Sequence, residues 1–168
     1  RKDIYVYFFL NVVFVSFAYS LIYVLERVFG FISEVTMIEL SNTNKKLLHE
    51  LSEVAPGTFQ HCMQVSSLVV AAANKIGANP VLARTGALYH DIGKMLNPIF
   101  FTENQPDGIN PHKNLTYEDS AKIIIGHVTE GVKLAKKHNL PQQIIDFIET
   151  HHGSVSYTHL RAHETDSY

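Results

Sequence analysis

The sequence predicts an all-α fold: a helical bundle preceded by one membrane-spanning helix. Three observations carry this. Residues 4–25, "IYVYFFLNVVFVSFAYSLIYVL", contain no charged side chain. The chain after residue 45 repeats its apolar residues at helical spacing and offers no run of alternating strand pattern. Prolines, glycines and asparagines then divide that part into pieces of helix length.

The uncharged run is bracketed by Arg1, Lys2 and Asp3 before it and by Glu26 and Arg27 after it. About 20 apolar residues rising ~1.5 Å each cover a bilayer's hydrocarbon core, so residues 1–27 read as a membrane helix. A buried core helix is the alternative. A signal peptide fits less well, because the run is long and no small-residue cleavage site precedes "ERVFGF". Arg27, Lys45 and Lys46 slightly outweigh Arg1 and Lys2, which places the rest of the chain in the cytoplasm. Residues 28–44, ending in "SNTNKK", read as a linker.

Helices are expected next over about Thr43 to Val54, ending before Pro56, and over about Gly57 to Ile76. Proline is tolerated in a helix's first turn, and Gly77 ends the second of these helices. Asn79-Pro80 opens a third, running to about His90. Residues 95–114 hold three prolines and a glycine and read as a long loop, a kind usually functional or disordered. Two further helices follow, Tyr117 to His138 and Pro141 to His151, separated by "NLP". The stripe Val65, Leu68, Val69 and Ala72 reads as core packing.

Composition excludes more than it identifies. With 168 residues, 46% hydrophobic and 18% charged, the chain can form one domain with a core and one extra segment. A net charge of −2 gives no basic face for a DNA or RNA polymer. The single cysteine, Cys62, cannot form an intrachain disulfide and reads as a small buried hydrophobe. The ten histidines are the unusual feature, because imidazole is the commonest metal ligand.

Their distribution is informative. His61, His90 with Asp91, His127, and His151 with His152 fall on separate predicted helices, and helical bundles build metal sites from side chains on facing helices. A carboxylate can bridge two metals whereas an imidazole ligates one, so the His90-Asp91 pair suits a two-metal site with Asp91 shared. Successive helix positions point about 100° apart, so both can face one site only where the helix is ending, and Gly93 is expected to end it. His49, His112 and His138 fit no helix face with the others and read as loop or surface residues, with His112 a candidate for lining a cleft.

In order and spacing, "APGTFQH", "GALYHDIGKM", "FFTENQPDGINPH", "GHVTEGVKLAKKHNLP" and "IIDFIETHHG" resemble the HD superfamily of metal-dependent phosphohydrolases. The likeness is closest to the membrane-anchored seven-transmembrane branch that hydrolyses cyclic di-AMP. It covers about residues 26–154 and, less specifically, the apolar run, which would be the last span of a truncated membrane region. The resemblance implies an HD-domain helical bundle over residues 45–153. It implies one metal held by His61, His90 and Asp91 and a second held by Asp91, His127, His151 and His152. Iron or manganese is the expected pair, and the imidazole and carboxylate donors suit both without choosing between them. Asp91 and Lys94 would be catalytic, Lys94 meeting the substrate phosphate as a point charge. The implied partners are a cyclic dinucleotide and the bacterial membrane.

Two departures qualify this. The family pattern places one more aspartate well beyond the His-His pair, and its loss would leave this chain weakly active. Residues 154–168, "SVSYTHLRAHETDSY", do not resemble the family and are expected to be a non-native or disordered tail. The alternative there is a metal pair of His159 and His163, with Asp166 supplying the lost ligand. Two rival functions stay open. One is hydrolysis of another nucleotide, although the Gly-Tyr-Pro signature of the cyclic di-GMP branch is replaced here by "ENQPDGINPH". The other is a non-catalytic metal- or nucleotide-binding regulatory module.

Overall fold

The computed structural model describes residues 2–29, 32–106 and 109–153, so the tail at 154–168 with His159, His163 and Asp166 lies outside the described residues. Every regular element among the described residues is helical. The chain divides into two units, residues 1–33 and 34–168.

The first unit is built on α1, Lys2–Phe29. Asp3–Ile22 has a mean hydropathy of 1.8 with none of it buried, making this helix long and apolar enough to cross a membrane.

The second unit contains α2 (Glu34–Leu40), α3 (Lys46–Val54), α4 (Pro56–Ile76), α5 (Pro80–Tyr89), α6 (Tyr117–Lys137) and α7 (Gln142–Thr150). The expected helix ends recur to within a few residues, each with a local cause. Pro56 occupies the first turn of α4, and Gly77 closes it in the left-handed region at φ 70°. The Asn79 side chain caps α5 by accepting from the amides of Val81 and Leu82. Thr116 caps α6 by accepting from the Asp119 amide at 3.1 Å.

Two elements differ from expectation. The stretch read as a linker holds α2, which is docked on α5. Met37 is buried there, Tyr89 Oη donates to the Leu40 carbonyl at 2.9 Å, and Thr85 Oγ1 donates to the Met37 carbonyl at 3.2 Å. The loop at 95–114 is folded into short 3₁₀ turns, Pro98–Phe100, Thr102–Asn104 and Pro111–Asn114, following a 3₁₀ segment at Ile92–Leu96.

The core gathers Leu47, Leu48 and Leu51 of α3, Leu88 and Tyr89 of α5, Ile92, and Ile144, Ile145 and Ile148 of α7. Here α4 corrects the expected stripe. Leu68 is 71% exposed, Ala72 is exposed, and Val65 and Val69 are only half-buried. The buried face instead carries Thr58, Cys62, Ser66 and Ala73. Small residues let α5 pack closely against α4, and apolarity alone does not report that geometry.

Candidate metal centre

The centre forms where α5 ends. Tyr89 is the last residue of α5, His90 keeps right-handed helical angles, and Asp91 leaves them at φ −111°, ψ 16°. The break lies before Asp91, so Gly93 is not the terminator that the sequence suggested. Its role is close approach. A Cβ on Gly93 would lie 1.8 Å from the His127 carbonyl oxygen and 2.5 Å from the Gly131 amide nitrogen. This contact sets Ile92–Leu96 against α6 and brings Asp91 to His127.

The carboxylate of Asp91 is nearly fully buried, and its two oxygens face different histidines. Oδ2 lies 3.1 Å from His90 Nε2 and 3.9 Å from His61 Nε2. Oδ1 lies 3.4 Å from both His127 Nε2 and His151 Nε2. His152 Nε2 completes the second group at 3.2 Å from His127 Nε2. Two donor sets result, His61, His90 and Asp91 in one and Asp91, His127, His151 and His152 in the other. The ligating atoms of each set lie within 4.8 Å of one another. All six residues singled out from the sequence are thus brought together, on α4, the α5 end, α6 and the α7 end.

Backbone carbonyls orient three of the rings. Nδ1 of His90 donates to the Ala87 carbonyl at 2.7 Å, Nδ1 of His151 to the Ile148 carbonyl at 2.9 Å, and Nδ1 of His127 to the Ile124 carbonyl. Each partner lies three residues earlier on the same helix, at the ends of α5 and α7 for His90 and His151 and within α6 for His127. With Nδ1 engaged, the inward-facing atom is Nε2, the arrangement metal-ligating histidines use. Cys62 is buried in the same region, its Sγ 3.8 Å from His90 Nδ1.

Several features fit a cation here. Asp91 Oδ1 is buried without a hydrogen-bond partner. The Nε2 atoms of His127 and His151 face each other at 3.3 Å, an arrangement that needs a proton or cation between the lone pairs. Burial pushes the Asp91 carboxyl up, but the facing imidazoles of His127, His151 and His90 outweigh it and hold the group ionised, well below the usual carboxylate range. Burial lowers His90, yet its hydrogen bond to Asp91 prevails and raises it to about 10. Burial and the neighbouring His151 and His127 hold His152 below the ordinary imidazole value.

Lys94 lies at the edge of the centre with its side chain 14% exposed. Its Nζ is 2.8 Å from Asp91 Oδ2 and 2.8 Å from Glu103 Oε1, and it sits over the Phe101 ring at 5.0 Å. Sequence reasoning missed Glu103 and Phe101. Their signals were the length of the loop that carries them and their place in the "FFTENQPDGINPH" motif. A cleft of about 370 Å³ runs along this side, lined in part by Lys94, Phe101, Glu103 and His112. There the His112 Nε2 donates to the Phe100 carbonyl at 2.8 Å, so His112 does line a cleft. His49 and His138 line a separate surface depression with Glu50 and Glu53.

A buried carboxylate shared between two histidine groups drawn from α4, the end of α5, α6 and the end of α7 defines a class of protein, and comparison with known proteins agrees. The model of the HD domain matches residues 58–167, and this chain belongs to that family. It is 46% identical over 143 residues to the cyclic-di-AMP phosphodiesterase PgpH of Listeria monocytogenes, covering 84% of this chain and 20% of the relative. It is 42% identical over 129 residues to PgpH of Bacillus subtilis, covering 77% of this chain and 18% of that protein. The chain therefore spans about a fifth of the length of these relatives. The crystal structure of the L. monocytogenes PgpH HD domain in complex with cyclic di-AMP superposes with a TM-score of 0.65 at 50% identity, over 67% of this chain and 52% of that one.

Proposed function

We propose that this chain carries the catalytic domain of a membrane-anchored, dinuclear-metal phosphodiesterase that opens cyclic di-AMP to the linear dinucleotide in bacterial second-messenger signalling. The observation that carries the reading is the division of Asp91, with Oδ2 toward His61 and His90 and Oδ1 toward His127 and His151. Likeness to the PgpH proteins supports the substrate.

His61, His90 and Asp91 would hold one metal, and Asp91, His127, His151 and His152 the other, with manganese or iron suiting the donors. When bound, such a pair supplies Lewis-acid polarisation of the phosphodiester and a hydroxide nucleophile at neutral pH. The chain's own residues do the rest. Asp91 fixes the spacing of the two sites, the carbonyls of Ala87, Ile124 and Ile148 hold each ring with its Nε2 facing inward, and Lys94 places a positive charge for the substrate's phosphate oxygens. Among the described residues the first set offers three donors and the second four. In this reading α1 anchors the domain to the cell membrane with residues 34–153 on the cytoplasmic side.

The deciding experiment incubates the full chain in detergent with Mn²⁺ and either cyclic di-AMP or cyclic di-GMP, and separates the products by chromatography. Linear di-adenylate from the parent, absent in Asp91→Ala, is the expected result. Preference for cyclic di-GMP would move the substrate assignment, and retention of nucleotide without cleavage would make the domain a regulatory binding module.

A further inference from the structure

We propose that Glu103 is a positioning residue that draws Lys94 away from Asp91 and holds its ammonium at the rim of the metal centre. This rests on the reading of Lys94 as the phosphate contact. The Lys94 Nζ is shared equally, 2.8 Å from Asp91 Oδ2 and 2.8 Å from Glu103 Oε1. Oδ2 is also the oxygen that faces His61 and His90, the donors of the three-residue group. With Asp91 as its sole anion, Lys94 would be a resident cation competing for that oxygen. Glu103 gives it a second anion outside the donor set, so Asp91 can turn to a metal while the ammonium keeps a partner.

Glu103 is itself seated by the first turn of α4. Its Oε1 accepts from Thr58 Oγ1 at 3.1 Å, and Thr58 is fully buried. Asn104 locks the same turn twice. Its Oδ1 accepts from the Thr58 amide at 3.1 Å, and its Nδ2 donates to Thr58 Oγ1 at 2.7 Å. Gly57 allows the approach, since a Cβ there would lie 1.8 Å from the Glu103 carbonyl oxygen. Thr58 stands one helical turn before His61. One turn of α4 therefore places both a donor of the three-residue group and the bracket that restrains Lys94. The sharing of Lys94 is charge-assisted at both contacts, the stronger class of hydrogen bond.

The test compares Glu103→Gln, which keeps the shape and an acceptor for Thr58 but removes the charge, in the parent and in Lys94→Met. Direct binding of Mn²⁺ to the full chain, measured by equilibrium dialysis, is the first readout. Glu103→Gln should weaken it about tenfold in the parent and less than about twofold in Lys94→Met, because coupled residues are non-additive. Kinetics on cyclic di-AMP are the second readout, with KM rising about tenfold and kcat within about threefold, the pattern of lost substrate binding. Equal loss of Mn²⁺ affinity in both backgrounds, or none in the parent, overturns the proposal. A parent that binds Mn²⁺ but cleaves no cyclic dinucleotide defeats the functional reading alone, and the Mn²⁺ comparison still decides the role of Glu103.

Discussion

Gly93 and His127 touch backbone to backbone, so closely that a Cβ on Gly93 would lie 1.8 Å from the His127 carbonyl oxygen. Neither atom belongs to a flexible side chain, and α6 would have to move to admit even a methyl group. Gly93→Ala is therefore expected to cost at least about 2 kcal/mol of stability, as overpacking does. It should also weaken Mn²⁺ binding, because the displacement separates Asp91 from His127. Urea unfolding and metal titration check the two effects, and a parent-like result in both would mean the contact is slack.

Asp91 and His127 are expected to respond differently to truncation. Asp91 faces both donor groups, whereas His127 belongs to one. Asp91→Ala should take bound metal from about two ions per chain to near none, and His127→Ala should leave about one. Metal content by elemental analysis after dialysis separates these. Equal content in Asp91→Ala and the parent would rule out a bridging role for Asp91.

Much of this was legible in the sequence because it is locally encoded. Pro56, Gly77 and Asn79 act on the backbone beside them, and both ends of α4 and the start of α5 fall where those residues dictate. The six converging donors were visible as residue types on separate helices and through the ordered motifs. What escaped depends on long-range packing. The buried face of α4 uses Cys62, Ser66 and Ala73 rather than the more apolar Leu68, because approach to α5 favours small side chains. Glu103 reads as one more polar loop residue until the Thr102–Asn104 turn is folded onto Thr58. The function of Gly93 lies in a neighbour 34 positions later, which no local rule reveals.

The bracket on α4 should be sensitive to acid. Burial raises the Glu103 carboxyl, but Lys94 outweighs this and lowers it below the ordinary 4.5. A depressed carboxylate contributes stability that is complete above the unfolded value and lost as pH falls through the folded one. The Tm of the parent should therefore exceed that of Glu103→Gln at pH 6, and the gap should close as pH falls below about 4.5. A gap independent of pH would point to shape rather than charge.

Removing Asn104 should loosen the same bracket without touching a charge. Its side chain makes two hydrogen bonds to Thr58, one of them to an amide in the first turn of α4. Asn104→Ala leaves both Thr58 groups seeking partners and should cost about 1–3 kcal/mol in urea unfolding. Replacement by Asp, which retains the acceptor for the amide, should recover part of that.

In the metal-free chain, His90 carries a proton that a metal must displace. Burial alone would lower this imidazole, but the Asp91 carboxylate 3.1 Å from Nε2 overrides it and raises the group from 6.5 to about 10. A histidine raised on folding contributes stability that is fully present below its unfolded value and lost as pH rises through the folded one. Chelator-treated protein should therefore lose stability between about pH 6.5 and about pH 10. Mn²⁺ affinity should move the opposite way over the same window, rising with pH as the competing proton becomes easier to remove. Thermal melts of the chelated chain at pH 7 and pH 9.5, paired with Mn²⁺ titrations, should show these opposed slopes. Nuclear magnetic resonance of His90 in Asp91→Asn supplies the control: without the carboxylate, burial and the Cys62 contact remain, and its titration should fall well below 10. If His90 still titrates near 10 in that variant, Asp91 is not what holds the proton.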